Sequence, residues 1–532
     1  MTEGFWLMFG YELLAEALLA GGVERVFGVM GEGNLRYIAA FSRRGDYVAA
    51  VDEGGAVGMA DGSSRFSKGV GVAAITHGPA LTNCLTALTE AVRAHSRLVL
   101  VTSSHPPGRR HLQRFDLAAA VALTGATYRK VLDPARIGDA VFDALRTCLG
   151  GPVVLDVPVE VQVAEGGDLR IPTFGHTDAV ELMGDDDVLD VALGLLVSAR
   201  HPLILAGRGA ISARSSLVEL AAATGAWLGT TVLGKDLFRN VPGNLGIVGT
   251  VSTQNALSAI SSIDCVAAFG TSLDSFTTMN GALLTNHRVI RCDIREESLG
   301  DWPVDVAILG DADPVARSMV AALRSAGFDT GPAPRLDRSV PVPKAHSEGL
   351  ELHSVVATLD RMLPENRIVV TDTGRFKGPV WQGLRVRGPE FFSHTIGFGA
   401  LGLGLACSVG AAISGSAELT VCVSGDGGFM MGCTELATAA RLRLPLVVVV
   451  LNDMAYGAEF SALRNLGLDS ELARLTWPPM AEIGAAFGAR ARRVTDIGEL
   501  KAAAVWVEKE RQSGFPGPYL IEVVLDAASI EI

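Results

Sequence analysis

Ser424-Gly425-Asp426-Gly427-Gly428, followed by Leu446-Val447-Val448-Val449-Val450-Leu451-Asn452-Asp453, is the pair of segments on which the reading of this chain turns. The first ends an apolar run, Thr420–Ser424, in a glycine-rich turn with one carboxylate. The second is a β-branched run ending in two oxygen-bearing side chains, with Asp453 standing 27 positions after Asp426. Thr434–Arg441 between them reads as a helix. Strand, turn, helix and strand make a βαβ unit, and open α/β sheets bind ligands beyond the carboxyl ends of their strands. Glycines let backbone N–H groups approach a phosphate, and a helix N-terminus favours its charge. Asp426 and Asp453 are hard oxygen donors that suit Mg²⁺. The Gly-Asp-Gly turn alone is equally an ordinary tight turn; the second cluster shifts the reading toward phosphate and metal.

The same alternation runs along the whole chain. Strand candidates include Leu98–Thr102, Val153–Val157, Leu203–Ala206, Cys265–Gly270, Val289–Asp293, Ile368–Asp372 and Tyr519–Leu525. Helix candidates include Tyr11–Ala20, Ala80–Ala94, Ser216–Thr224 and Met480–Phe487. Continuous apolar strands separated by helices imply parallel sheets covered on both faces. Two stretches read as linkers: Ala164–Asp187, and Gly327–Lys344 with its four prolines. They predict an α/β chain of three domains over 1–165, 188–326 and 345–532, each an ordinary domain size.

Composition excludes several classes. The 532 residues are 48% hydrophobic and 19% charged, which rules out a disordered chain. The net charge of −13, without a long basic run, argues against nucleic acid as a partner. No apolar stretch approaches the ~20 residues of a membrane span. Seven cysteines, none in a CxxC pair, read as buried thiols of a reducing cytoplasm. The N-terminus carries Glu3 and no basic cluster, a poor secretory signal.

The Gly-Asp-Gly turn and the Asn452-Asp453 pair resemble the diphosphate-binding motif of thiamine diphosphate (ThDP) enzymes. The resemblance implies that Asp426, Asp453 and the carbonyl of Ala455 bind Mg²⁺. Gly425, Gly427, Gly428 and Asn452 then belong to the diphosphate site. Asp453 departs from the usual asparagine and adds negative charge beside the diphosphate. A distant segment, Asp52-Glu53-Gly54-Gly55-Ala56-Val57-Gly58-Met59-Ala60-Asp61-Gly62-Ser63-Ser64-Arg65, is similar to the one that carries the catalytic glutamate in the pyruvate oxidase and acetolactate synthase group. Glu53 falls on that position. There a buried carboxyl hydrogen-bonded to the pyrimidine shifts its tautomer and makes the exocyclic nitrogen a base. Taken alone, Glu53 would read as an exposed helix-start glutamate.

Further motifs follow in family order. Thr76-His77-Gly78-Pro79-Ala80-Leu81-Thr82-Asn83 looks like the family loop that normally has a small residue where His77 stands. His77 reads as an acid or base facing substrate, or equally as a packed histidine. Gln113, in His111-Leu112-Gln113-Arg114-Phe115, aligns with a glutamine that acetolactate synthases place near the reacting groups. His105 and His111 stand apart, so the adjacent histidine pair of pyruvate decarboxylases is absent. Gly397-Phe398-Gly399-Ala400-Leu401-Gly402 has the form of a dinucleotide fingerprint, but no clear strand precedes it. It resembles instead the family segment whose bulky residue, here Leu401, wedges between the cofactor rings, with the Gly399 carbonyl accepting from the exocyclic amine. Thr371–Phe376 matches a diphosphate loop, with Gly374 and Arg375 as candidates. Gly270-Thr271-Ser272-Leu273-Asp274-Ser275 lacks the arginines of the FAD-binding pattern, which argues against FAD and for a structural central domain.

The resemblance spans the chain from Val26 to Val524. It implies pyrimidine-binding, central and diphosphate-binding domains, and an acetolactate synthase-like enzyme. Such an enzyme decarboxylates a 2-oxo acid with ThDP as electron sink and joins the remaining unit to a second carbonyl compound. A simple 2-oxo acid decarboxylase is the alternative. A non-catalytic paralogue would be expected to lose Glu53 or Asp426, and both are present. The resemblance also implies a homodimer or homotetramer, with Glu53 and Asp426 of one active site supplied by different chains.

Overall fold

The computed structural model describes residues 8–105, 111–171, 184–296, 302–328, 334, 350–514 and 517–525. The N-terminal residues read for a secretory signal lie mostly outside these, as does most of the linker at 327–344. At the ends of the other expected linker the chain is ordered into elements. Glu165–Gly167 pairs antiparallel with Met8–Phe9, and a helix capped by Asp185 begins at Asp186.

Three six-stranded sheets carry the fold. The N-terminal sheet runs in the order Asp46–Ala49, Arg25–Gly28, Gly71–Ala74, Leu98–Thr102, Val153–Asp156 and Thr127–Lys130, all parallel. The central sheet runs Asn244–Ile247, Trp227–Thr230, Pro202–Ala206, Cys265–Phe269, Arg288–Asp293 and Val306–Leu309, again all parallel. The C-terminal sheet runs Phe392–His394, Arg367–Thr371, Leu419–Gly425, Leu446–Asn452, Tyr519–Val524 and Arg490–Val494. Its inner strands are buried along almost their whole length because helices cover both faces, as their unbroken apolar runs demand.

The chain forms two compact units. One holds Met1–Gly175, Ser347–Lys377 and Ser393–Ile532; the other holds His176–His346 and Gly378–Phe392. The second is built on the central sheet, with a core that includes Leu196, Ile204, Phe238, Phe269 and Met319. In the first, the N- and C-terminal sheets are joined through two helices, Glu53–Phe66 and Leu403–Ser414. These helices touch almost backbone to backbone. A Cβ on Gly62 would fall 2.0 Å from the Cys407 carbonyl oxygen, and one on Gly410 would fall 1.9 Å from that of Met59. Their glycines serve this close approach.

A buried polar network fastens the same junction. Arg65 pairs with Asp61 at 2.6 Å and Glu90 at 3.2 Å, and donates to the His394 carbonyl at 2.7 Å. Glu90 in turn accepts the Phe398 N–H at 2.7 Å. The N-terminal domain thus holds the loop that carries Gly399 and Leu401.

Six of the cysteines are buried, Cys433 is half-buried, and all seven are free thiols. Among the described residues no helix is long and apolar enough to cross a membrane.

Candidate active site

Three adjacent strands of the C-terminal sheet end at one edge. Thr371 pairs with Val423, and Gly425 with Leu451, so Asp372, Asp426 and Asp453 follow neighbouring parallel strands. Asp426 opens the helix Asp426–Gly432. Its Oδ1 accepts the Gly427 N–H at 2.9 Å, while Oδ2 is buried with no partner. Burial and then the nearby Asp453 push its carboxyl up to about 6. A buried, unpartnered carboxylate oxygen beside a second buried carboxylate is a donor set short of a cation. The buried Thr373 hydroxyl, next to Gly374, also lacks a partner. These residues fit Mg²⁺ and a diphosphate.

The charge added by Asp453 meets a counter-charge. Arg375 Nε and Nη2 lie 3.0 and 2.8 Å from Asp453 Oδ2, and Nη1 donates to Ser461 Oγ at 3.0 Å. Both side chains are nearly buried, 4% and 8% exposed. Burial raises the Asp453 carboxyl, and Arg375 opposes that rise. Arg375, expected at the diphosphate, is engaged with Asp453 and offsets part of its charge. Met454, next in the chain, takes a left-handed backbone (φ 57) that turns the chain before Ala455. Such strain in a non-glycine residue costs ~1 kcal/mol and gathers at functional sites. Asn452 is held on both sides: it donates to Glu522 at 2.8 Å and accepts the Met454 N–H at 3.0 Å.

The Arg375–Asp453 pair yields a prediction. Removing one partner of a buried ion pair costs ~3–5 kcal/mol, because the other charge is left uncompensated. Arg375→Gln alone should lower the unfolding midpoint of the cofactor-free protein sharply. Arg375→Gln with Asp453→Asn should recover most of it in a double-mutant cycle by denaturant melts. Additive losses would mean the two side chains are not coupled.

Asp372 is the residue that motif reading passed over. It is buried, and its carboxyl accepts from the Thr373 N–H at 2.8 Å, the Gly402 N–H at 2.9 Å and Ser424 Oγ at 3.1 Å. It ties together the Thr371–Phe376 loop, the Gly397–Gly402 loop and the Gly-Asp-Gly turn. Burial lifts its carboxyl to about 6 despite these donors. A Cβ on Gly428 would come within 2.7 Å of its Oδ2, one reason that turn holds glycine. The available signal was an apolar strand ending in an acid beside a glycine-bearing loop. Gly399 has φ 78, and Gly402, at φ 87, precedes the helix Leu403–Ser414. A short strand, Phe392–His394, does precede this glycine motif, where none was expected; three residues are too few to show as a periodic run. Leu401 and its neighbour Phe398 are exposed, 42% and 51%.

In the N-terminal domain Glu53 starts its helix behind the cap Asp52, whose side chain accepts the Gly55 N–H at 2.8 Å. It is half-buried and accepts from Asn83 Nδ2 at 3.0 Å. Asn83 lies early in the helix Pro79–Arg93, which follows the loop that supplies His77. Glu435, from the C-terminal domain, accepts the Val51 N–H at 2.8 Å and supports the turn before Glu53. His77 is buried, with Nδ1 3.2 Å from Ser103 Oγ and Nε2 2.9 Å from His105 Nε2. His105 and His111, apart in sequence, stack with ring centroids 3.5 Å apart. Two loops thus bring together a group of histidines that sequence order conceals. Burial, then the neighbouring rings, lowers the pKa of His77 and of His105. Gln113 is half-buried beside them; a Cβ on Gly78 would meet its Cβ at 2.7 Å.

Known proteins match this arrangement along the chain. Residues 8–122 match the N-terminal TPP-binding domain of thiamine pyrophosphate enzymes, 189–319 the central domain and 372–523 the C-terminal TPP-binding domain. A Pseudomonas aeruginosa protein named "Probable 2-ketoarginine decarboxylase AruI" is 30% identical over 96% of this chain and 93% of its own. The acetolactate synthase isozyme 2 large subunit of Escherichia coli is 27% identical over 98% of this chain and 96% of its own. The solved ThDP-dependent 4-hydroxybenzoylformate decarboxylase of Rhodococcus jostii superposes with a TM-score of 0.82 at 20% identity. That match covers 98% of this chain and 99% of the other, and it speaks to the fold. With its three domains matched in order, the chain belongs to the thiamine pyrophosphate enzymes, as a ThDP-dependent enzyme of the carboligase and decarboxylase group.

Proposed function

We propose that this enzyme decarboxylates a 2-oxo acid with ThDP and Mg²⁺ and passes the remaining unit to a second carbonyl compound. The observation that carries this reading is the unpartnered, buried Asp426 Oδ2 beside Asp453 at the ends of two adjacent parallel strands. Asp426, Asp453 and the Ala455 carbonyl would hold Mg²⁺, and Gly374, Gly425, Gly427, Gly428 and Asn452 the diphosphate. Gly399 and Leu401 would receive the rings. When bound, ThDP supplies the electron sink that lets a 2-oxo acid lose CO₂. Glu53 holds the proton of the pyrimidine ring, and Asn83 orients its carboxyl. His77 and Gln113 would face the substrate, His77 as an acid or base and Gln113 as a hydrogen-bonding guide. Exposed Leu401 and Phe398 favour a partner chain that covers them, so the enzyme works as a homodimer or homotetramer. Seven free thiols suit a reducing cytoplasm.

A second reading, simple decarboxylation with a proton as acceptor, is favoured by the likeness to the Pseudomonas protein. One experiment separates the two. Pyruvate, 2-oxobutyrate, phenylpyruvate, benzoylformate and 2-ketoarginine are each incubated with enzyme, ThDP and Mg²⁺. CO₂ release is followed and the organic product identified. A hydroxyketone supports carboligation; an aldehyde supports the second reading. No CO₂ from any of them would overturn both.

The raised Asp426 carboxyl predicts a pH dependence. Mg²⁺ needs the carboxylate, so protons compete below about 6. Apparent Mg²⁺ affinity should fall by up to ~tenfold per pH unit below that value and level off above it. Stability of the metal-free protein runs the other way. The native carboxyl binds its proton more tightly than the unfolded one, so this group's contribution falls as pH rises from about 4 to about 6. Calorimetric titration of Mg²⁺ in the presence of ThDP from pH 5 to 8 checks the first trend. A flat affinity would contradict it.

A further inference from the structure

Strands Gly71–Ala74 and Leu98–Thr102 are adjacent and parallel, so the loops that follow them emerge side by side. His77 stands on the first loop, and His105 and His111 on the second. One ring nitrogen from each of these three histidines lies within 4.8 Å of the other two. The 2.9 Å contact between His77 Nε2 and His105 Nε2 can be an N–H···N bond, but that accounts for two rings only. The third, His111, is stacked against His105 and sits edge-on to His77 with centroids 5.6 Å apart.

The surroundings are those of a ligand set. His77 Nδ1 lies 3.2 Å from Ser103 Oγ and 3.4 Å from Thr76 Oγ1. A hydroxyl accepting from Nδ1 leaves the Nε2 lone pair toward the cluster, as outer partners do for metal-bound imidazoles.

We propose that His77, His105 and His111 form a site for a divalent metal ion of the Zn²⁺ class, distinct from the oxygen-donor site at Asp426 and Asp453. Imidazole suits Zn²⁺, Co²⁺ and Ni²⁺, whereas Mg²⁺ selects oxygen. Nitrogens on a tetrahedral zinc at ~2.0–2.1 Å stand ~3.3 Å apart, so the 2.9 Å pair opens by a few tenths of an ångström to admit the ion. His111 Nδ1 now accepts the Gln113 N–H at 3.2 Å. Ligation by His111 gives up that long bond or turns the ring, which makes it the weakest of the three ligands. Three protein nitrogens leave a position open for water or for an oxygen of a small acid.

The test uses the full-length protein freed of metals, without ThDP, so it does not depend on the proposed reaction. Zn²⁺ is titrated by calorimetry with excess Mg²⁺ present to fill oxygen sites. We expect one Zn²⁺ per chain with a Kd of ~1 μM or below. His105→Ala and His111→Ala should each weaken it ~100-fold or more. Both positions are only half-buried, and circular dichroism checks that the variants fold. Co²⁺ as a probe should give a tetrahedral visible spectrum without a thiolate charge-transfer band, which separates this site from the seven cysteines. No saturable Zn²⁺ binding, binding that both substitutions leave unchanged, or a thiolate band would each overturn the proposal.

Discussion

Glu53→Gln is expected to cut turnover by ~10²–10⁴-fold while leaving ThDP bound, because glutamine keeps the shape and loses the proton-holding carboxyl. The structure makes the substitution clean. Glu53 heads a helix whose cap is Asp52, so the helix does not depend on its charge. Asn83 Nδ2 donates to Glu53 Oε2 at 3.0 Å, and the amide oxygen of glutamine can accept the same bond. The change is thus confined to proton chemistry at the pyrimidine. Steady-state CO₂ release with the best acid of the panel measures the rate. Quenching of protein fluorescence measures ThDP affinity, expected within ~tenfold of the parent enzyme. An undiminished rate would remove Glu53 from the mechanism. A lost rate together with lost ThDP binding would make it a binding residue instead.

Asp426→Asn is expected to abolish Mg²⁺-dependent ThDP binding, a loss of ~10²-fold or more in affinity. Its Oδ2 has no hydrogen-bond partner, and the Gly427 N–H on Oδ1 does not make up for what burial costs the charge. Burial and Asp453 make that charge costly, as the carboxyl near 6 records. The cofactor-free variant should therefore be as stable as the parent at pH 7.5, or more stable by up to ~3 kcal/mol. Lost binding with retained or raised stability is the pattern of a site held at the expense of the fold. Thermal melts with and without Mg²⁺ and ThDP read both quantities. Retained Mg²⁺-dependent affinity would remove Asp426 from the metal site.

Much of the architecture was legible because it rests on short-range pattern. Leu446–Asn452 is built on four consecutive valines between leucines, and the structure makes it one strand of those bounds. Pro79–Arg93 and Gly10–Ala20 are apolar-periodic and lie within a residue of expectation. Helix Glu53–Phe66 carries only a start signal at Glu53 and a weak local pattern beyond it. It holds four glycines, which weaken helix propensity by ~1 kcal/mol each. What stabilises it is the close packing against Leu403–Ser414, a contact between segments some 350 residues apart. Short strands such as Asp46–Ala49 and Thr127–Lys130 escaped for a related reason. Four residues with mixed polarity carry no period.

The parallel α/β class, the glycine turns at the strand ends and the oxygen-bearing side chains at 426 and 453 follow from residue type and local order alone. Long-range packing accounts for three further matters. It set Arg375 against Asp453, 78 residues away, and so offset part of the charge that Asp453 adds. It made Asp372 the common acceptor of three loops. It drew His77, His105 and His111 into one cluster across two strand ends. The reason is physical: in a parallel sheet, neighbouring strands are separated by whole helices in the chain. Side chains at the sheet edge therefore meet partners that no sequence spacing can specify.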